Sequence, residues 1–121
     1  MSKTQQLVHS GRTIFYMDFS NLNNPSEIKS LIDESVRFIR KQPPVTVLTL
    51  TSIKGMHFNS EIRDLFNDFI KGNKPYVKAG AVIGLAGLQQ IIYNSLMKVT
   101  GRDIKAFDNI EEAKNWLVGK N

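Results

Sequence analysis

Three glycines, Gly80, Gly84 and Gly87, crowd the stretch YVKAGAVIGLAGLQQ, where an apolar run over residues 77–83 gives way to a helical pattern. Glycines at a strand-to-helix turn can cradle a phosphate, because backbone N–H groups and a helix N-terminus then face the anion. The spacing G-x-x-x-G-x-x-G matches neither the dinucleotide fingerprint nor the Lys-bearing phosphate loop. No acidic residue takes the ribose-binding place about 20 positions on; Asp103 and Asp108 read as turn and cap. The alternative is close packing: Gly80 leaves space on the sheet, and Gly84 and Gly87 shape the turn.

A second set of polar residues gathers where strands end. Asp18 and Ser20 follow one strand, Thr51 and Ser52 another, and His57, Asn59 and Ser60 lie in the loop beyond it. Ser60, His57 and Asp18 are the residue types of a hydrolytic triad. The G-x-S-x-G elbow is missing, and Asn59 or Ser60 is accounted for as a helix N-cap. No catalytic residue is assigned, and the expectation is a protein that is not an enzyme. His9 and His57 are far apart in sequence and give no metal pattern. With no cysteine there is no disulfide, thiol nucleophile or Cys-ligated metal, and no cofactor is expected.

Charge position separates the two readings of the glycines. The net charge of +5 comes wholly from residues 71–105, which hold Lys71, Lys74, Lys78, Lys98, Arg102 and Lys105 against Asp103 alone. Ligands of open α/β sheets bind beyond the C-terminal ends of the strands. These cations fall mostly after helices, at the other end, where they complement helix dipoles. The aromatics Phe15, Phe19, Phe66, Phe69 and Trp116 follow core spacing and offer no stacking platform, so specific nucleic-acid binding is not expected.

These residues need a scaffold, and 121 residues suffice for one domain over 1–121. Residues 4–9 and 12–19 read as strands joined at Ser10-Gly11. Asn24, Pro25 and Glu27 open a helix with Ile28, Leu31, Ile32, Ser35 or Val36, and Ile39 inward, stopped at Pro43-Pro44. PVTVLTLTS is a strand and IKGMHF a loop. Residues 59–73 form a helix burying Ile62, Leu65, Phe66, Phe69 and Ile70, with Gly72 as its C-terminal glycine. YVKAGAVIG is apolar on both faces, hence central and parallel. Residues 87–101 form a helix with Leu88, Ile91, Ile92, Leu96 and Val99 inward, closed by Gly101. DIKAF is a short strand, and Asp108 with Glu111 caps a last helix facing inward through Ile110, Ala113, Trp116 and Leu117.

The order β-β-α-β-α-β-α-β-α implies an α/β fold with a mixed, mostly parallel five-stranded sheet. The N-terminus has no apolar signal-peptide region and no run spans a membrane, so the chain reads as soluble and cytoplasmic. The strand C-terminal edge, comprising Met56, His57, Asn59, Ser60, Gly84, Leu85, Gly87 and Leu88, is the expected binding surface. Its small and apolar rim suits a partner protein, a second copy of the chain, or a small apolar or anionic ligand such as a lipid or nucleotide.

The opening hairpin, the β-α alternation, and VLTLTSI leading through a loop into a helix resemble the STAS domain of anti-sigma factor antagonists and sulfate-transporter tails. NKPYVKAGAVIGLAGLQQIIYN and TGRDIKAFDNIEEAKNWLV look more like the SpoIIAA-like branch, described as STAS-like or related to CRAL-TRIO lipid-transfer domains. The resemblance covers nearly the whole chain and implies a non-enzymatic, bacterial regulatory module that binds another protein. It puts a phosphoacceptor at Ser60, with Asn59 where the antagonists carry Asp and Glu61 where they carry Gly. CRAL-TRIO carriers enclose lipid with extra helices, and this chain has no spare helix for that purpose.

Overall fold

The computed structural model describes residues 3–120, apart from the side chain of Leu88. Two antiparallel strands, β1 (Thr4–His9) and β2 (Arg12–Asp18), meet at Ser10 and Gly11. Both turn residues have positive φ, the conformation that matches the twist of a two-residue hairpin. The chain continues through α1 (Pro25–Ile39), β3 (Val47–Ser52), α2 (Ser60–Asn73), β4 (Val77–Ile83), α3 (Leu88–Thr100), β5 (Lys105–Phe107) and α4 (Ile110–Val118). The expected element order and the five-stranded mixed sheet are both present.

Strand order in space equals order in sequence, β1-β2-β3-β4-β5, and every pairing after the hairpin is parallel. A sheet that grows in one direction through crossovers of one hand puts all of its crossover helices on one face. Accordingly α1, α2 and α3 share a core with Phe15, Met17, Val47 and Val82. The opposite face carries Ile14, Leu48, Leu50 and Ala81, and α4 covers it through Ala113 and Leu117.

Local details depart from the sequence reading in instructive ways. Val45 lies outside β3, exposed and in a left-handed conformation, because Pro44 and Val45 form the turn into the strand rather than its start. Gly72 lies inside α2, whose cap is Lys74; its missing side chain leaves room for the Arg40 guanidinium. The cap of α4 is Asn109, accepting from the Glu112 N–H at 2.9 Å, one residue later than Asp108 and Glu111 would place it. Ile91 and Val99 are 66% and 64% exposed, not buried. The inner arc of α3 runs through Gln89, Ile92, Tyr93, Leu96 and Met97, so polar residues occupy part of it and the apolar pattern misplaces the face. The expected burial of Leu88 lies outside the described side chains.

α3 also differs from its sister helices in how it is held. The other three open on asparagine caps, whereas α3 opens on Gly87 with no side-chain cap and ends on Gly101, both at positive φ. Its main neighbour is α2.

Candidate functional site

Three loops meet at the C-terminal ends of the parallel strands, and their backbones lock together. The Ile53 N–H donates to the Ile83 carbonyl at 3.0 Å, and Asn21 N–H to the Lys54 carbonyl at 2.8 Å. His57 N–H donates to the Leu22 carbonyl at 2.9 Å. The Gln89 amide adds a brace from α3, donating to the carbonyls of Ile53 at 3.1 Å and Met56 at 2.8 Å. Such bonds satisfy loop carbonyls that would otherwise need water.

The glycines of this edge act through shape. Gly84 has φ +89, and a Cβ there would lie 2.6 Å from the Lys54 backbone nitrogen. Gly87 has φ +56, but a Cβ there would meet nothing within 4 Å. Gly84→Ala is therefore expected to cost about 2–3 kcal/mol, from strain plus a clash with backbone that cannot yield. Gly87→Ala is expected to cost about 1–2 kcal/mol, from strain alone. Urea unfolding of the two variants checks the order, and equal losses would contradict the close approach at Gly84.

Of the eight residues expected at this edge, His57, Asn59, Ser60 and Gly87 are exposed, and Gly84 and Leu85 are half-buried. Leu88 begins α3. Met56 is corrected: at 3% exposure it is a core residue, drawn under the loop by its own N–H bond to the Ile53 carbonyl. Ser60 stands at the first position of α2, and Asn59 caps that helix by accepting from the Ile62 N–H at 2.9 Å. Asp18 accepts from the backbone and hydroxyl of Ser20, and no hydrogen bond joins it, His57 and Ser60 among the described residues. His9 bonds Asn115 at 2.7 Å, tying the hairpin to α4. No cluster of three or more metal-ligating residues occurs among the described residues, and no helix among them is long and apolar enough to cross a membrane.

Beneath α3 lies a feature the sequence reading missed, a cavity of about 60 Å³ between α2, α3 and the sheet. It exists because its floor is built from small residues. Thr49 and Gly80 are register partners on β3 and β4, with Thr51 and Val82 beside them. Apolar side chains including Ile53, Phe66, Phe69, Leu96 and Met97 form the walls. The roof of this space is α3 itself, so it forms without an added helix, and it is far smaller than a lipid-enclosing cavity.

Arg102 turns into this cavity instead of decorating the helix end. Its Nη1 donates to the Ile70 carbonyl at 2.9 Å, satisfying one open carbonyl at the C-terminus of α2. Burial lowers its pKa. Gly80 provides the room: a Cβ there would stand 3.0 Å from Thr49 Oγ1 and 3.3 Å from Arg102 Nη2. Its space accommodates this pair and Ile104, not a packed helix. Nearby, the Tyr93 hydroxyl donates to the Ile104 carbonyl, and its pKa is raised first by burial and then by the charge of Asp103. The one sequence signal for this site was a pairing of Thr-x-Thr with glycine across adjacent strands, which becomes visible only once the register is known.

No protein-family model matches the chain, and no curated protein matches it. Among solved structures it is similar to an uncharacterized protein of the DUF3478 family with a SpoIIAA-like fold, from Shewanella loihica PV-4. The two are 18% identical, the match covers 94% of this chain and 91% of that one, and the TM-score is 0.62. The chain therefore has a SpoIIAA-like fold.

Proposed function

We propose that this SpoIIAA-like chain is a non-enzymatic interaction module that docks another protein at the strand C-terminal edge. The interlock of the loops carries this reading. Hydrogen bonds from Asn21, Ile53, His57 and Gln89 hold the edge stiff, while His57, Asn59, Ser60 and Gly87 stay exposed on it. A surface fixed before the encounter loses less entropy on binding. A phosphate on Ser60 would lie at the positive end of the α2 dipole, giving the surface a charge switch.

Photo-crosslinking in the source cell tests the reading, with the reactive group placed at position 57, 87 or, as a control, the exposed Lys41 beyond the far end of α1. The same protein should be captured from 57 and 87 and not from 41. Gly87→Arg combined with His57→Glu should abolish capture in a protein whose circular dichroism is unchanged. Full retention of every interaction by the folded double variant would remove this surface as the docking site.

A second reading is a carrier or sensor of a small apolar or anionic ligand. The cavity beneath α3 favours it, because ligand sites are typically apolar hollows with a few convergent polar groups.

A further inference from the structure

We propose that the cavity beneath α3 is a site for a short-chain monocarboxylate, with the Arg102 guanidinium and the Thr49 hydroxyl receiving the carboxylate and the apolar walls receiving the chain. This rests on the ligand-carrier reading and deepens it by naming the ligand class and the anion receptor.

The geometry carries the argument. Arg102 is the one cation among the residues lining the cavity. The ion pairs among the described residues are Lys29–Asp33, Arg63–Asp64 and Lys114–Glu111, so Arg102 has no carboxylate partner. Its side chain has one hydrogen-bond partner, the Ile70 carbonyl, while a guanidinium has five donors. Arg102 is half-buried, so its guanidinium has lost part of its hydration with no counter-charge to replace it. The α2 C-terminus offsets part of that cost with its partial negative charge. A carboxylate would complete the compensation, because its two oxygens match the guanidinium fork. Gly80 keeps the spot open, since any side chain there would fill the gap between Thr49 and Arg102.

Size sets the chain length. The cavity, about 60 Å³, is well under half the ~150 Å³ of an engineered cavity that takes benzene. Neither a two-chain lipid nor a medium-length acyl chain fits, and a two- to four-carbon acid is the size the space admits. Each methylene that finds room should tighten binding about threefold to fourfold, until the walls are filled.

The test is a titration followed by ¹H–¹⁵N NMR at neutral pH, using acetate, propanoate, butanoate and the neutral match 1-butanol. Saturable shifts are expected at Thr49, Gly80 and Leu96, with butanoate binding about tenfold or more tighter than butanol. Arg102→Met should remove that preference and leave butanol affinity unchanged. Gly80→Ala, which narrows the anion end without touching the charge, should weaken butanoate and serves if Arg102→Met does not fold. Butanol binding with no added preference for butanoate, or a preference that survives in both variants, would overturn the anion receptor and leave the carrier reading standing. Absence of saturable shifts from any of the four compounds would overturn both. Shifts produced by phosphatidylglycerol vesicles but not by free carboxylates would assign the anion to a membrane lipid and overturn the free-acid proposal.

Discussion

Phe19→Ala is expected to destabilise the fold by about 3–5 kcal/mol, a large part of the roughly 5–15 kcal/mol that holds a domain of ordinary stability. Phe19 has no exposed surface and sits where β2 runs into the loop edge. Its ring meets Phe66 edge-on at 5.0 Å and tilts against Phe69 at 6.5 Å, while its N–H donates to the Ser52 carbonyl. Truncation removes the transfer energy of a large side chain and leaves a hole between the sheet and α2. It also forfeits aromatic contacts worth about 0.5–1.5 kcal/mol beyond burial. The neighbouring rings cannot easily collapse into the space, because Phe66 and Phe69 lie on one rigid helix. Urea unfolding should show a lower midpoint at an unchanged m-value. A loss below about 1.5 kcal/mol would mean that the ring cluster repacks and is not the keystone of this face.

Leu117→Ala is the second large effect, expected at about 2–5 kcal/mol. Leu117 and Ala113 are fully buried and anchor α4 to Ile14, Leu48, Leu50 and Ala81. α4 has nine residues, too few to be stable as a helix without packing. Its docking energy is therefore concentrated in very few side chains. Hydrogen exchange provides the sharper measurement. In Leu117→Ala the amides of α4 should lose protection well before those of β3 and β4. Uniform loss across the chain would show that α4 does not open on its own.

The sequence made the scaffold legible wherever a local signal was complete. α1 combined an asparagine cap, Pro25 and an apolar period interrupted at Ser35, and the structure matches it. β4 was apolar on both faces and is indeed paired in parallel on both sides. Misreadings arose where a residue serves a distant neighbour. Gly72 resembles a helix stop but makes room for Arg40, from another helix. Arg102 resembles a solvated charge after a helix but reaches the Ile70 carbonyl, 32 positions earlier. The edge residues His57, Asn59, Ser60 and Gly87 were visible because caps and turn glycines announce loops. The cavity was not, because its floor is made of small side chains contributed by two strands whose register no local pattern records.

The one-way growth of the sheet has a consequence for how the protein is made. All three crossover helices fall on one face, so that face can close strand by strand as the chain is synthesised. The other face has only α4, which follows the last strand. At about 5–20 residues per second, Ile14 and Leu50 spend several seconds outside the ribosome before their cover is made. During that interval the nascent chain presents a half-finished molecule whose apolar side is open to chaperones, and a ribosome stalled before residue 110 would leave it so.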